Sequence, residues 1–283
     1  MSLDVMLVVL LGALLHASWN AVVKSGRDKL LDTVLVAAGA ALIALALVPF
    51  LPAPAAASRP FLAASVAIHI GYFALVAAAY RTADMSFAYP LMRGTAPLLV
   101  ALASGPLIGE RLGPAAWAGV LLICGGVLGL TLVYRRPAAE GWPLAPTAFA
   151  LGNAAVIAAY TLVDGAGVRL SGHALAYTLW ILLLTAPPLL GWAAYRRGAA
   201  VLRAHLRARW ALGLIGGACT LGSYALGLWA MTRAPIAPVA ALRETSILFG
   251  MGLAALVLKE RFGPVRHAAA VTIVAGAVAL RLA

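Results

Sequence analysis

The chain has 283 residues, 64% of them hydrophobic and only 11% charged, with a mean hydropathy of +0.98. A water-soluble globular domain carries about 25% charged residues, so this composition excludes an ordinary soluble fold and makes the bilayer the solvent. The net charge of +12 does not point to nucleic acid, because the Lys and Arg residues fall in short breaks between apolar runs and do not gather on one basic, aromatic-laced face.

At about 20 apolar residues per crossing, the length accommodates about ten spans with short connections and no separate soluble domain. The first predicted helix, 3–23, lacks the basic start and the cleavage site of a signal peptide and reads as retained. It carries Leu15-His16-Ala17-Ser18-Trp19-Asn20 and ends at the charged run Lys24 to Lys29. The second spans 30–51. The third, 61–80, places His69, Tyr72 and Tyr80 near one face. The fourth, 85–108, contains Arg93 among Pro90, Gly94 and Pro97, and the fifth, 114–134, follows Gly113-Pro114.

After Arg135-Arg136-Pro137 the sixth helix, 144–163, stops at Asp164, which reads as a helix-end charge. The seventh spans 173–195, and Arg196 to Arg209 form the longest connection. The eighth, 210–231, holds Tyr224 and Trp229; the ninth, 236–258, holds Arg243 and Glu244 behind Pro235 and Pro238; the tenth covers 265–282. Gly125 and Gly129, and Gly213 and Gly217, have the spacing that lets helix backbones approach closely. Cys124 and Cys219 lie in apolar runs as small hydrophobes, so neither a disulfide, a metal site nor a cofactor is expected.

An even number of spans puts both termini on one side. Most of the 21 Lys and Arg residues fall in the odd-numbered connections, among them Lys24, Arg27, Lys29, Arg135, Arg136 and the group from Arg196 to Arg209. The positive-inside rule places those connections in the cytoplasm and both termini outside.

The chain also repeats itself. At an offset of 150 residues Arg93 pairs with Arg243, Glu110-Arg111 with Glu260-Arg261, Gly113-Pro114 with Gly263-Pro264, and Gly126 with Gly276. Residues 1–138 and 139–283 are therefore two copies of one module. Five spans per copy, an odd number, give the copies opposite orientations, the inverted-repeat plan of many secondary transporters. The fold class expected is an all-α membrane protein of about ten transmembrane helices in two inverted five-helix repeats.

Ala79-Tyr80-Arg81 through Pro90, Pro97, Gly109-Glu110-Arg111-Leu112 and the Gly-rich stretch from Gly119 to Gly129 resemble the closing pattern of an EamA-type module, and Arg233 to Gly276 resembles a second copy. The resemblance spans nearly the whole chain and implies a ten-helix metabolite permease of the drug/metabolite transporter superfamily. It implies a secondary or facilitative carrier in the inner membrane, exporting a small polar metabolite such as an amino acid, as a monomer or homodimer. Its members are usually drawn with both termini cytoplasmic, opposite to the cation count. The first helix departs from the family, with His16 to Asn20 where many members have a Trp-Gly pair.

A charge in mid-span costs at least about 2.5–3.5 kcal/mol on insertion scales, so Arg93 and Arg243 need partners or a task. Either Arg93, with Arg243 in a lesser role, binds the carboxylate or phosphonate of the substrate, or they are structural, Arg93 by holding helices together and Arg243 by pairing locally with Glu244 or capping a broken helix. His16 falls where small multidrug resistance relatives carry a proton-exchanging glutamate, so it is a candidate for carrying a coupled proton. The alternative is a neutral imidazole bonded to a neighbouring helix, with Asn20 as its partner or as a cavity group. Tyr72, Tyr80, Tyr224 and Trp19 line the expected cavity or sit at the membrane interface. Glu244 or Asp164 is placed to meet a substrate ammonium. Glu110 and Glu260 recur before Gly-Pro helix starts and read as architectural.

Expected partners are thus a small-molecule substrate, the lipid bilayer and a proton. Hydrolase motifs such as GxSxG and HExxH are missing, as is a P-loop, so the carrier is preferred over an enzyme. The alternative carried forward is a membrane-embedded sensor or transferase without transport activity.

Overall fold

The structure, a computed structural model, describes residues 1–82, 85–133, 144–259 and 262–283. Helices form where the apolar runs lie: α1 (Leu3–Ser25), α2 (Lys29–Leu47), α3 (Arg59–Thr82), α4 (Met85–Ile108), α5 (Pro114–Gly129) and α6 (Leu144–Leu170). They continue with α7 (Ala174–Arg197), α8 (Ala199–Ala208), α9 (Trp210–Met231), α10 (Ile236–Arg243), α11 (Ser246–Leu258) and α12 (Pro264–Leu282). Among the described residues nine segments, with α10 and α11 taken as one, are long and apolar enough to cross a membrane. Helix α3, at 24 residues, is the tenth of spanning length.

Local chemistry sets the ends. Asp28 caps α2 by accepting the amide hydrogens of Leu30 and Leu31 at 3.0 and 3.2 Å, and the His173 ring caps α7 at the amide of Ala176. Pro114 and Pro264 open α5 and α12 right after Gly113 and Gly263, where a missing N–H costs nothing. Gly198 takes φ 90° between α7 and α8, a left-handed turn that favours glycine.

Four features differ from the sequence reading, in which Pro90, Gly94 and Pro97 around Arg93 and Pro235 and Pro238 before Arg243 mark helix breaks. The long 196–209 connection folds into the short helix α8, which buries Leu202 against Leu31, Val34, Leu189 and Ala193 and turns Arg203 and Arg207 outward. Helix α6 runs on to Leu170, so Asp164 lies inside it and not at its end. Pro90 and Pro97 do not interrupt α4. The ninth span does break, but at Glu244-Thr245, well past Pro235 and Pro238. There the Glu244 and Thr245 amides donate to Ala241 and Leu242, three residues back, and the Thr245 hydroxyl also donates to the Leu242 carbonyl at 2.7 Å. Such a tightened stretch inside a span marks a joint between two half-helices.

The helix packing has the symmetry of the repeat. If α1, α2, α3, α4 and α5 are matched with α6, α7, α9, α10–α11 and α12, the contacts exchange: α1 packs on α9 as α6 packs on α3, α4 packs on α6 as α10 and α11 pack on α1. The pairs α2 with α7, α4 with α10 and α5 with α12 map onto themselves, so they lie on the pseudo-two-fold axis. The amino group of Met1 donates to the Leu280 carbonyl at 3.4 Å and Arg281 donates to the Met1 carbonyl at 3.1 Å, which puts the two ends of the chain on one side.

Glycines decide how closely these helices meet. A Cβ on Gly39 would collide with the Gly213 carbonyl, and one on Gly217 with the backbone of Ala40, so α2 and α9 touch backbone to backbone. On α5 and α12 a Cβ at Gly276 would stand 2.8 Å from the Gly119 carbonyl oxygen, and one at Gly126 would stand 3.0 Å from that of Ala269. Gly125 and Gly129 face open space, with no atom within 4 Å of an added Cβ. The GxxxG reading therefore holds for Gly213 and Gly217 and fails for Gly125 and Gly129, whose place is taken by Gly119 and Gly126 on another face.

Gly39→Ala is accordingly expected to overpack the α2–α9 crossing, at a cost of about 1–3 kcal/mol, whereas Gly125→Ala should leave stability unchanged. Thermal unfolding of the two purified variants in detergent checks this. Equal melting temperatures would contradict the backbone-contact account.

Candidate functional site

Arg93 sits in the middle of α4 and is 9% exposed. Its only route to stability in hydrocarbon is a charge of opposite sign, and the nearest one comes from the other repeat. The Nε of Arg93 lies 2.8 Å from Oε2 of Glu244, which is itself buried. Neither atom completes a directional hydrogen bond, because the carboxylate approaches off the N–H axis. The pair is ionic contact without full hydrogen-bond saturation, and it leaves donors and an acceptor for a third party.

The break between α10 and α11 explains why charges are tolerated there. Arg243 ends α10 and Glu244 precedes α11, so the cation faces the negative end of one helix dipole and the anion the positive end of the next. The sequence reading allowed a local pair between these neighbours. The structure instead gives Glu244 to Arg93 across the axis, and among the described residues Arg243 has no carboxylate at ion-pair distance. The Arg243 guanidinium lies 5.5 Å from the ring centroid of Tyr224. Gly227 makes room for it, since a Cβ there would stand 3.3 Å from its Nε.

Between α4, α6 and α10 these groups enclose a cavity of about 20 Å³, lined by Arg93, Pro97, Tyr160, Thr161, Arg243 and Glu244 among others. That is space for about one water molecule. A metabolite would require the walls to part.

A second polar cluster lies behind Tyr224. Asp164 of α6 is fully buried; Tyr224 of α9 donates to its Oδ2 and Tyr177 of α7 to its Oδ1. The His69 ring of α3 lies over Tyr160, 4.4 Å between centroids, and edge-on to Tyr224 at 5.9 Å. Tyr72 presents an edge to Tyr160 at 5.8 Å. The two clusters share Tyr224 and Tyr160.

Of the residues singled out from sequence, Arg93, Arg243, Glu244 and Tyr224 come together at this centre, with Tyr72 one ring further back. His16 is electrostatically within reach of both guanidinium groups, but its ring packs edge-on against Trp19 at 5.1 Å and neither residue lines the cavity. The Asn20 amide donates to the His16 carbonyl on the same helix at 2.8 Å, so it is not the partner of the His16 ring. The Tyr80 side chain, Glu260 and Arg261 lie outside the described residues. Sequence reasoning weighed Asp164 for a substrate ammonium but placed it at a helix end, and it did not single out Tyr160 and Tyr177. The available signal was that the turn-forming pair after Asp164 comes only at Ser171-Gly172.

Polar latches close the protein at both ends. Glu110 accepts the Ile236 amide hydrogen, 2.9 Å to each oxygen, and pairs with Arg169 at 2.6 Å. It thus caps α10 of the other repeat, which extends the architectural role read from its position before Gly-Pro. At the opposite end the buried Asp32 meets Arg209 and His205, and Asp28 meets Arg197 at 2.7 Å. Burial opposes the ionisation of Asp28, but the Arg197 guanidinium and the first amides of α2 outweigh it and hold the carboxyl below its ordinary range. That latch therefore persists until the medium is more acid than an ordinary aspartate's pKa, about 3.8.

A family model described as the EamA-like transporter family matches residues 4–132 and again 146–282, the two halves that the packing relates. No curated protein matches the sequence. Among solved structures, one whose title reads only "Crystal structure of protein" is similar over 100% of this chain and 98% of its own, with a TM-score of 0.74 and 19% identity; that likeness speaks to the fold alone. With two copies of the module covering nearly its whole length, ten helices of spanning length and a charged centre between the halves, the chain belongs to the EamA-like transporter family and is a multi-pass membrane transporter of the drug/metabolite type.

Proposed function

We propose that this transporter moves a small metabolite bearing a carboxylate or phosphonate, such as an amino acid, across the inner membrane, and that Arg243 is its principal anion ligand. The observation that carries this reading is a guanidinium deep in a span, beside a cavity, with no carboxylate at ion-pair distance among the described residues. Guanidinium binds planar and tetrahedral anions through a two-pronged fork, and a half-helix joint is where carriers of inverted-repeat design hold their cargo. Arg93 serves as the second, already compensated cation, and Glu244 is placed for an ammonium group when the cargo is an amino acid.

Opening for the substrate requires the Glu110 latch and the Asp32 latch to release in turn, which is alternating access around one central site. In the opened cavity His16, Asn20, Trp19, Tyr72 and Tyr80 serve as wall groups around the rings of Tyr160 and Tyr224. Export draws on an ion gradient or on the metabolite's own, because the chain carries no nucleotide-binding motif to power it.

Two measurements test this. In a thermal-shift screen of amino acids, phosphonates and organic anions on detergent-purified protein, Arg243→Met should weaken any ligand found by at least about tenfold, or roughly 1.4 kcal/mol. Arg243→Lys, which keeps the charge and loses the fork, should fall between. Folded Arg243→Met protein with undiminished affinity would reject the assignment. Arg93 is expected to behave differently: Arg93→Met strands a buried carboxylate and should cost about 3–5 kcal/mol of stability. Adding Glu244→Gln should restore most of that loss, and a double variant no more stable than Arg93→Met alone would show that the pair is not coupled.

A further inference from the structure

The cluster behind Tyr224 has no task in the reading above, yet it holds a fully buried aspartate and an imidazole joined by one phenol. The groups that face Asp164 are His69 and Ser65 from α3, Tyr177 from α7 and Tyr224 from α9. Tyr160, on its own helix, couples it to Arg93, Arg243 and Glu244 of α4 and the α10–α11 joint. The ring nitrogen Nδ1 of His69 lies 2.9 Å from the Ser65 carbonyl oxygen. A carbonyl only accepts, so Nδ1 carries the hydrogen and Nε2 of the neutral ring is an acceptor. That acceptor is 3.5 Å from the Tyr224 hydroxyl, the same hydroxyl that donates to Asp164.

Tyr224 therefore has two places to put one hydrogen. With Asp164 ionised it donates to the carboxylate. With a proton on Asp164 Oδ2, the acid donates to the phenol oxygen and the phenol turns its own hydrogen to His69 Nε2. Both arrangements are fully hydrogen-bonded, which makes the cluster a two-state element of the kind that a charge change biases. The other face of the same ring carries Arg243. Arg243 and the Asp164 carboxylate therefore stand on one ring, the guanidinium 5.5 Å from its centroid and the carboxylate at its hydroxyl, close enough for a charge at one to be felt at the other.

We propose that Asp164 is a proton-binding site coupled to the substrate: an anion arriving at Arg243 adds negative charge beside the ring that Asp164 bonds, and Asp164 takes up one proton from water in response. This rests on the anion-binding role of Arg243. One anion and one proton then occupy the centre together, so the loaded carrier differs from the empty one by no net charge. By linkage, the proton strengthens anion binding by the same factor as the anion strengthens proton binding.

The test uses the full chain in detergent with methanesulfonate and N-acetylglycinate, two monoanions that do not themselves titrate between about pH 5 and 8. Affinity comes from thermal shift, and proton exchange comes from a pH indicator in weak buffer. Wild-type protein is expected to take up close to one proton per anion bound, with affinity falling by up to about tenfold per pH unit as pH rises. Asp164→Asn should bind with a flat pH profile and no proton uptake, and Tyr224→Phe should show a shallower slope. If Asp164→Asn does not fold, the wild-type proton count decides alone. Anion binding without proton uptake, or uptake that survives in Asp164→Asn, overturns the coupling while leaving the anion site standing. Neither anion stabilising wild-type protein at any pH removes the anion site itself, and the coupling with it.

Discussion

Hydrocarbon offers no water to an ionised side chain, and the architecture of this protein turns on how Arg93 meets that constraint. Its carboxylate partner comes from the opposite repeat and from a place where the span has been interrupted. A continuous ninth helix would carry Glu244 on a regular turn with its backbone groups sealed. The joint at Glu244-Thr245 instead lets two half-helix ends face inward, one stabilising a cation and the other an anion. The ion pair thus binds the halves at their axis, and the same break leaves Arg243 beside the cavity with no carboxylate at ion-pair distance among the described residues.

The symmetry is broken where chemistry is needed. Arg93 and Arg243 occupy equivalent repeat positions, yet one lies in an unbroken helix and is compensated, while the other ends a half-helix and is not. At the two ends of the bundle the latches differ as well, with Glu110 capping a helix by backbone amides and Asp32 held by arginine and histidine side chains. An inverted repeat supplies a common frame, and divergence within it gives one arginine an ion-pair partner that, among the described residues, the other lacks, and builds the two end contacts from different groups.

Much of this was legible in the sequence. Spans follow from apolar runs because a bilayer imposes length and composition so strictly, and the repeat followed from Arg93 and Arg243 falling at one offset with their Glu-Arg and Gly-Pro signatures. What was not legible depends on rotation and approach. Whether Gly125 or Gly126 meets a neighbour is a matter of one residue's turn around α5. That Glu244 serves Arg93 and not the adjacent Arg243 follows from tertiary packing, which local spacing does not report. Asp164 was misplaced because a carboxylate ordinarily ends a span, and its three hydroxyl neighbours come from α3, α7 and α9, far apart in the chain.

The glycine crossings carry a mechanical consequence. Where α2 meets α9, and α5 meets α12, main chain approaches main chain, and Leu35, Val36, Ile123, Ile273 and Leu280 sit in the notches that the missing Cβ atoms leave. Knobs seated in this way must lift out and change rotamers before the helices turn against each other. These crossings have the properties of rivets, and they fasten one repeat to the other at the flanks of the centre.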